Sequence, residues 1–442
     1  MKRRFLLALA VALASVLGAN AKVIRIAEAE QAKECFMLNG GDTLVLAEGI
    51  WDNLNIRFKS VDGKRGYPVV FRGETAGKTI LRGLSSLSFS GYGIVVEDLW
   101  FEDPITDEPN GAVIQFRTSA TVNANESVIR NVRMTGFNTD FHLDDQSQWL
   151  AVYGMRNVVE NCSFEDKVWL GCTVAVFTEP WMPSQSNHII RNNYFTRPRA
   201  YFNEKGSKIN SQETFRIGMS TVSMSDARCL VENNVFERCS AELEFISNKS
   251  CNNTYRGNVF LECEGIFTIR HGNGNIIEDN YFDGRNVPGT GGIRLVGEDQ
   301  IVRNNYMQDL AGDMTTPAIR TVMGIQDPVI NSYFQVKNSI IEGNVAINTN
   351  IGMVINSGTG AKQDLPFSES IVKDNVFVSN KIAVHISNPA PVKVIWKDNT
   401  FDGGEFVECS PENLGSVTAK AQPERRAMPV FDFGPDWKHL YE

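Results

Sequence analysis

Histidine is scarce in this 442-residue chain. The five present are His142, His188, His271, His385 and His439, and no two share the spacing that sets a zinc-binding pair on one helix face, which argues against a zinc hydrolase. Basic excess is also lacking. Lys and Arg number 43 against 52 Asp and Glu, a formal charge of −9. Without a basic tail, a general nucleic-acid-binding role is poorly supported, because phosphate neutralisation supplies most of that affinity. Any polyanion must be held by a local basic cleft on an acidic body. After the N-terminus no stretch approaches the roughly 20 apolar residues of a membrane-spanning helix. No Pro/Gly/Ser-rich linker divides the chain, so one domain is expected over residues 22–442.

What is present begins with a sorting signal. Met1-Lys2-Arg3-Arg4 is a basic start, Phe5 to Leu17 an apolar run, and Ala19-Asn20-Ala21 a small-x-small cleavage site. Residues 1–21 are expected to be removed, leaving a soluble protein of charge −12 exported to the periplasm or the medium. Eight cysteines in an exported protein could form disulfides. Cys229 and Cys251, like Cys239 and Cys263, recur at the period of the repeat described next, which favours stacked buried thiols or at most a cross-rung disulfide.

A short β-branched run, an Asn and an apolar or aromatic pair recur along the chain: VIRNVRM at Asn131, VVENCSF at Asn161, IIRNNYF at Asn193 and LVENNVF at Asn234. Further copies fall at Asn258, Asn280, Asn305, Asn344, Asn375 and Asn399, with Asp98 in the Asn slot of an earlier one. The shorter gaps are 24, 22, 25 and 24 residues, and the longer ones (30 to 41) read as the same rung with an inserted loop. A period in the low twenties without helical periodicity or leucine-repeat spacing predicts an all-β solenoid, a right-handed parallel β-helix whose rungs stack at about 4.8 Å. Asn suits the bends, and stacked amides can bond from rung to rung. The segment AEAEQAKECF, Ala27 to Phe36, reads as a short amphipathic helix capping the first rung, and the tail after about Ala421 is expected to pack over the last rungs.

The densest polar constellation is Ala241 to Ser250. On a strand, Glu242 and Glu244 would point outward together, a hard-oxygen pair that a Ca²⁺ ion would relieve. Lys249, Arg270, Arg294 and Arg320 sit 12 to 15 residues after their rungs' Asn and are expected to form one column of cations, costly without a polyanion laid along it. Flanking cations would favour the neutral amine that a lysine base needs. Taken singly, a Glu-x-Glu is usually a solvated face and His271 a structural hydrogen-bonder; the combination is what points to an anionic polysaccharide.

These residues resemble polysaccharide lyase family 6, the alginate lyase and chondroitinase B family. The resemblance rests on Glu242-Leu243-Glu244, on Ile246-Ser247-Asn248-Lys249-Ser250, on Arg270-His271-Gly272, and on Asn210-Ser211-Gln212-Glu213-Thr214-Phe215-Arg216-Ile217-Gly218. It implies Ca²⁺ held by Asn210, Glu242 and Glu244, Lys249 as base, Arg270 as acid, and Arg216, His271 and Arg294 on the substrate, with Arg320 added by the column. Ser211 departs from the family's usual Gly. The implied reaction is β-elimination on a uronate polymer. Because a guanidinium hardly deprotonates, Arg270 either relays a proton through water or stabilises the leaving oxygen. Ile217 to Ser225 and Gly292 to Glu298 look more like the alginate lyases, so alginate is the expected substrate and dermatan sulfate the alternative. Two rivals stand outside this chemistry. A hydrolase on the same scaffold would want clustered aspartates, and the one adjacent pair is Asp144-Asp145, rungs from Lys249. A non-catalytic polysaccharide-binding β-helix would need the cations but not the Glu-x-Glu with its lysine.

Overall fold

The computed structural model describes residues 21–442 except 33–34, 107, 109, 137–145, 179–184, 359, 361, 388, 415, 419–422 and 441–442. The expected leader, His142 and Asp144-Asp145 therefore lie outside the described residues, apart from Ala21. No helix among those described is long and apolar enough to cross a membrane.

Strands run in parallel from rung to rung, as the repeat predicts. One rung is Leu230–Glu232, Val235–Cys239 and Ile246–Lys249; the next is Thr254–Arg256, Val259–Leu261 and Gly265–His271. The first strands of the rungs make a 14-stranded sheet from Val23–Ile26 to Ile395–Lys397. The second and third strands stack likewise on their counterparts. Inward-facing residues of successive strands form one apolar cluster from Ile26 to Leu414. Within it Phe164, Phe195, Phe236, Phe260 and Phe282 stack face to face, with centroids 5.2, 4.6, 5.1 and 4.4 Å apart.

The Asn ladder is real but starts later than the motif suggests. From Asn234 to Asn399 each buried carboxamide donates to a carbonyl and accepts both the backbone and side-chain N–H of the Asn on the previous rung, while Asn193, the first, accepts the Cys162 N–H; for Asn234 and Asn258 the two Asn–Asn bonds are 3.1 and 2.9 Å. Asn131 and Asn161 are not in that column. They occupy the bend one residue earlier, at φ 51° each, with Asp98, Asn192, Asn233 and Asp279. The ladder position on their rungs holds Val132 and Cys162. Asn serves both positions because it tolerates left-handed backbone and also offers an amide. A second ladder runs up another corner through Ser127, Asn157, His188, Cys229, Asn253, Asn275, Gln300, Ser339 and Ser370.

Two terminal expectations are corrected. The N-terminal cap is only a 3₁₀ turn, Ala29–Ala32, because Gln31 Oε1 caps the Ala27 and Glu28 amides and Phe36–Leu38 already leaves as a strand. The C-terminal tail does not sit on the last rungs but turns back along the outer face. Arg425 pairs with Asp309, Phe433 stacks on Tyr194, and Trp437 Nε1 donates to Asn131 O at 3.2 Å. This covers a second apolar strip that includes Val235, Val259, Tyr281 and Tyr306. All eight cysteines are free thiols, six of them buried.

Candidate active site

The third strands of successive rungs carry the site. Phe215 and Ile217, Ile246 and Asn248, Phe267 and Ile269, Ile293 and Leu295 are all buried without measurable exposure. Alternation therefore turns Arg216, Lys249, Arg270 and Arg294 to the outer face. The register refines the expected column. Arg216, Ser247, Thr268, Arg294 and Arg320 stack directly, whereas Lys249 stacks on Gly218 and pairs across a bulge with His271. The cations thus occupy two adjacent columns two residues apart, because Lys249 and Arg270 each lie two residues beyond the stacked Ser247 and Thr268; the bulge at Arg270 only sets His271 opposite Lys249.

Glu242 and Glu244 are not on a strand. They lie in the bend before Ile246–Lys249, with Leu243 44% exposed and Glu242 8% exposed, opposite to the expected alternation. Glu244 is nonetheless at the centre. Its Oε1 accepts from Arg294 Nη1 at 2.8 Å and faces Arg270 Nε at 3.8 Å, and its Oε2 accepts from Ser247 Oγ at 2.8 Å. Glu242 Oε2 accepts the Gln212 backbone N–H at 2.6 Å. Burial and the Glu213 carboxylate, with Glu244 adding, push Glu242 up to about 8.

Glu213 is the residue that the sequence reading passed over, although it sits in the quoted motif. It is 3% exposed, and its Oε1 accepts from Lys249 Nζ at 3.1 Å. Burial acts to raise its carboxyl, but Lys249 and Arg216 outweigh that and hold it at about 2. Lys249 therefore does not stand among cations alone, as expected, but is paired. Tyr333, on an inserted segment, is the other addition, its ring lying 4.4 Å from the Arg270 guanidinium carbon.

His271 is buried, and burial first, then Arg270 and Lys249, lowers it to about 3, so it is a neutral imidazole. Arg320 is held by Ser357 Oγ at 2.7 Å and Thr315 O at 2.9 Å, farther along the column. Asn210 is exposed and has no hydrogen-bond partner among the described residues, two positions before Gln212. Ser211 takes φ 76°, the conformation a glycine would supply, and Gln146 Nε2 donates to its hydroxyl at 2.8 Å. Buried nitrogens Arg216 Nε, Arg270 Nη1 and Arg294 Nε have no partner, so the face holds donors that the protein itself does not satisfy.

A sequence profile of the chondroitinase B family matches residues 27–416. The chain belongs to that family. A search of curated protein sequences returned no match. Among solved structures, the PL6-family alginate lyase AlyGC is 33% identical with a TM-score of 0.79 over 92% of this chain. The chain spans only 54% of that structure's length. A mannuronic-acid-specific polysaccharide family 6 lyase from human gut microbiota is 26% identical with a TM-score of 0.79, covering 95% of this chain and 97% of that one. The PL6 lyase Pedsa3628 from Pseudopedobacter saltans, at 23% identity and a TM-score of 0.73 over 94% and 99% of the two chains, shares the parallel β-helix fold.

Proposed function

We propose that this family member is a polysaccharide lyase that cleaves alginate by β-elimination, with Lys249 as the base. The observation that carries the reading is the pairing of Lys249 with a buried, ionised Glu213 beside a Glu244 shared by Arg270 and Arg294, all on one outer face. The two relatives above 25% identity, one an alginate lyase and one specific for mannuronic acid, support alginate as the polymer.

Elimination needs three things here. The carbon next to the uronate carboxylate must lose a proton, the carboxylate must be neutralised as charge moves onto it, and the 4-O-linked sugar must leave. Arg294 and Arg216, on the column beside Lys249, provide the positive charge that neutralises the carboxylate. Lys249 Nζ, on the adjacent column, takes the proton as the neutral amine, after the ammonium seen paired with Glu213 has given up one proton to solvent. Arg270, its guanidinium carbon 4.4 Å from the Tyr333 ring centroid, stabilises the leaving oxygen or passes it a proton through water. His271, being neutral, offers a hydrogen bond without adding charge.

A Ca²⁺ fits the donor set. Glu242 is a buried carboxyl with a single hydrogen-bond donor, and the neighbouring Glu213 and Glu244 carboxylates oppose its ionisation. No three His, Cys, Asp or Glu side chains converge at metal-binding distance among the described residues, so the set needs the neutral oxygen of Asn210 as well. Asn210, Glu242 and Glu244 would hold the ion. When bound it would supply a Lewis acid for the uronate carboxylate.

The test is ultraviolet absorbance with alginate, its homopolymer blocks and dermatan sulfate, each with and without a chelator. Elimination leaves a conjugated unsaturated uronate that hydrolysis does not. We expect a rise on alginate, suppressed by the chelator, and a loss of about 10³-fold or more in Lys249→Ala, with thermal melting showing that the variant is still folded. A rise only on dermatan sulfate would replace the substrate. Turnover by Lys249→Ala near the wild-type rate would remove the assignment of the base.

A further inference from the structure

Glu213 has two carboxylate oxygens, and Lys249 uses one. The other, Oε2, is met from below by Cys172, whose Sγ lies 3.4 Å away. Cys172 precedes the third-stack strand Val174–Val176 on the neighbouring rung and is fully buried. Burial pushes its thiol up to about 12, so the sulfur keeps its proton at any working pH and donates to the carboxylate.

The main chain of Glu213 is already fixed from the same side. Its carbonyl accepts from Arg197 Nη1 at 3.1 Å and from the Thr173 N–H at 3.2 Å. Arg197 is itself completely buried, and its guanidinium also bonds Gly171 O at 2.9 Å and Trp169 O at 2.7 Å. Lys167, equally buried, donates to the carbonyls of Trp169, Leu170 and Gly171 at 2.7, 2.9 and 3.0 Å. Two buried cations therefore clamp the 169–171 turn against the segment that carries Glu213. With the backbone held, what stays free is the rotation of the Glu213 side chain, and that rotation decides where the Lys249 ammonium sits.

We infer that Cys172 is a positioning residue for the lyase reaction: its S–H fixes the Glu213 carboxylate in the rotation that aims Lys249 at the substrate. The inference rests on Lys249 being the base. Cys172 itself touches no substrate and acts through Glu213.

The test compares Cys172→Ala, which removes the donor, with Cys172→Ser, which keeps one, in the full chain. Thermal melting shows that each is folded, and Cys172→Val serves as the donor-free variant if Ala is not. For Cys172→Ala we expect kcat on alginate to fall about tenfold with KM within about twofold, the size of effect for one hydrogen bond to a charged group. Cys172→Ser should stay within about twofold of wild type on both. A merely structural thiol would give the opposite order, since a hydroxyl is harder than a methyl to bury in place of sulfur.

The second readout needs no turnover. Limited acetylation followed by peptide mass spectrometry reports the reactivity of the Lys249 amine. We expect it to rise about threefold or more in Cys172→Ala, as the ion pair loosens, and to stay at the wild-type rate in Cys172→Ser. If Ala and Ser move together in both measurements, Cys172 is packing and the inference is wrong. If wild type yields no unsaturated product from any polymer, the lyase reading falls, while the acetylation comparison still decides whether Cys172 sets Lys249.

Discussion

Along the outer edge of the first stack the charges alternate from rung to rung: Glu97, Arg130, Glu160, Arg191, Glu232, Arg256, Glu278, Arg303, Glu342, Lys373. Along the site face they repeat in sign, through Arg216, Lys249, Arg270, Arg294 and Arg320. The spacing is the same, about 4.8 Å per rung, and so is the parallel scaffold. The alternating column closes on itself, with ion pairs such as Arg191–Glu160 and Arg256–Glu232 both at 2.6 Å. The like-signed columns cannot. They borrow Glu213 and Glu244 from the bends, and still leave three guanidinium nitrogens without partners. A solenoid neutralises a charged column where stability alone is at stake. Where it leaves one open, the missing anion is a ligand.

The largest test of that contrast is at Arg294, the cation that both neutralises Glu244 and keeps a free Nε. Arg294→Ala should lower kcat/KM on alginate by about 10²-fold, the usual cost of one donor aimed at developing charge. Arg294→Lys should recover little of it, because an ammonium lacks the fixed planar fork that holds Glu244 and a uronate in one geometry. Steady-state kinetics decide this, and an unchanged kcat/KM would mean that the open column is not the substrate track.

The next effect lies in the second ladder, where one position holds an ionisable group. His188 is fully buried, its Nδ1 accepts the Asn157 N–H at 3.1 Å, and burial lowers it from 6.5 to about 4. A base depressed in the folded state binds its proton more readily when unfolded. Its contribution is therefore complete above about 6.5 and is lost as pH falls through about 4, amounting to roughly 3 kcal/mol. Denaturant midpoints should fall across that window, and His188→Asn, which restores the amide used at Asn157 and Asn253, should flatten the fall. An equal slope in the variant would place the acid sensitivity elsewhere.

How much of this was legible beforehand follows the same division. The ladder could be read because one amide recurs at a fixed bend, but Asn131 and Asn161 were taken for rungs of it because Asn192-Asn193 and Asn233-Asn234 put both bend residues in one letter. Lys249, Arg270 and Arg294 could be read because they lie on strands that keep the period. Their separation into two columns could not, since the chain between a rung's Asn and its third strand varies in length and shifts the register that spacing alone assumes. Glu213 stands 36 residues before Lys249, across an insertion that breaks the period, and Tyr333 sits within another. Long-range partners brought in by insertions are what repeat arithmetic cannot reach. The alternating column, by contrast, was visible in the R, E, R, E before each bend and went unread.

The smallest effect is the sharpest check on the comparison, because it should leave the chemistry alone. Arg256→Glu would place three carboxylates in a row with Glu232 and Glu278 and convert a stretch of the alternating column into a like-signed one. Arg256 is about half exposed, so solvent screens the change, and the loss of stability should be no more than about 1 kcal/mol and shrink as salt is added. Activity on alginate should not move, since this edge belongs to the first stack and not to the site face. Added Ca²⁺ is the discriminating arm. If like-signed columns create binding sites simply by being like-signed, three exposed carboxylates would recover stability with millimolar Ca²⁺ well beyond what equal ionic strength of sodium gives. We expect no such excess, because the site face owes its character to burial and to carboxylates brought in from the bends, and the exposed edge has neither.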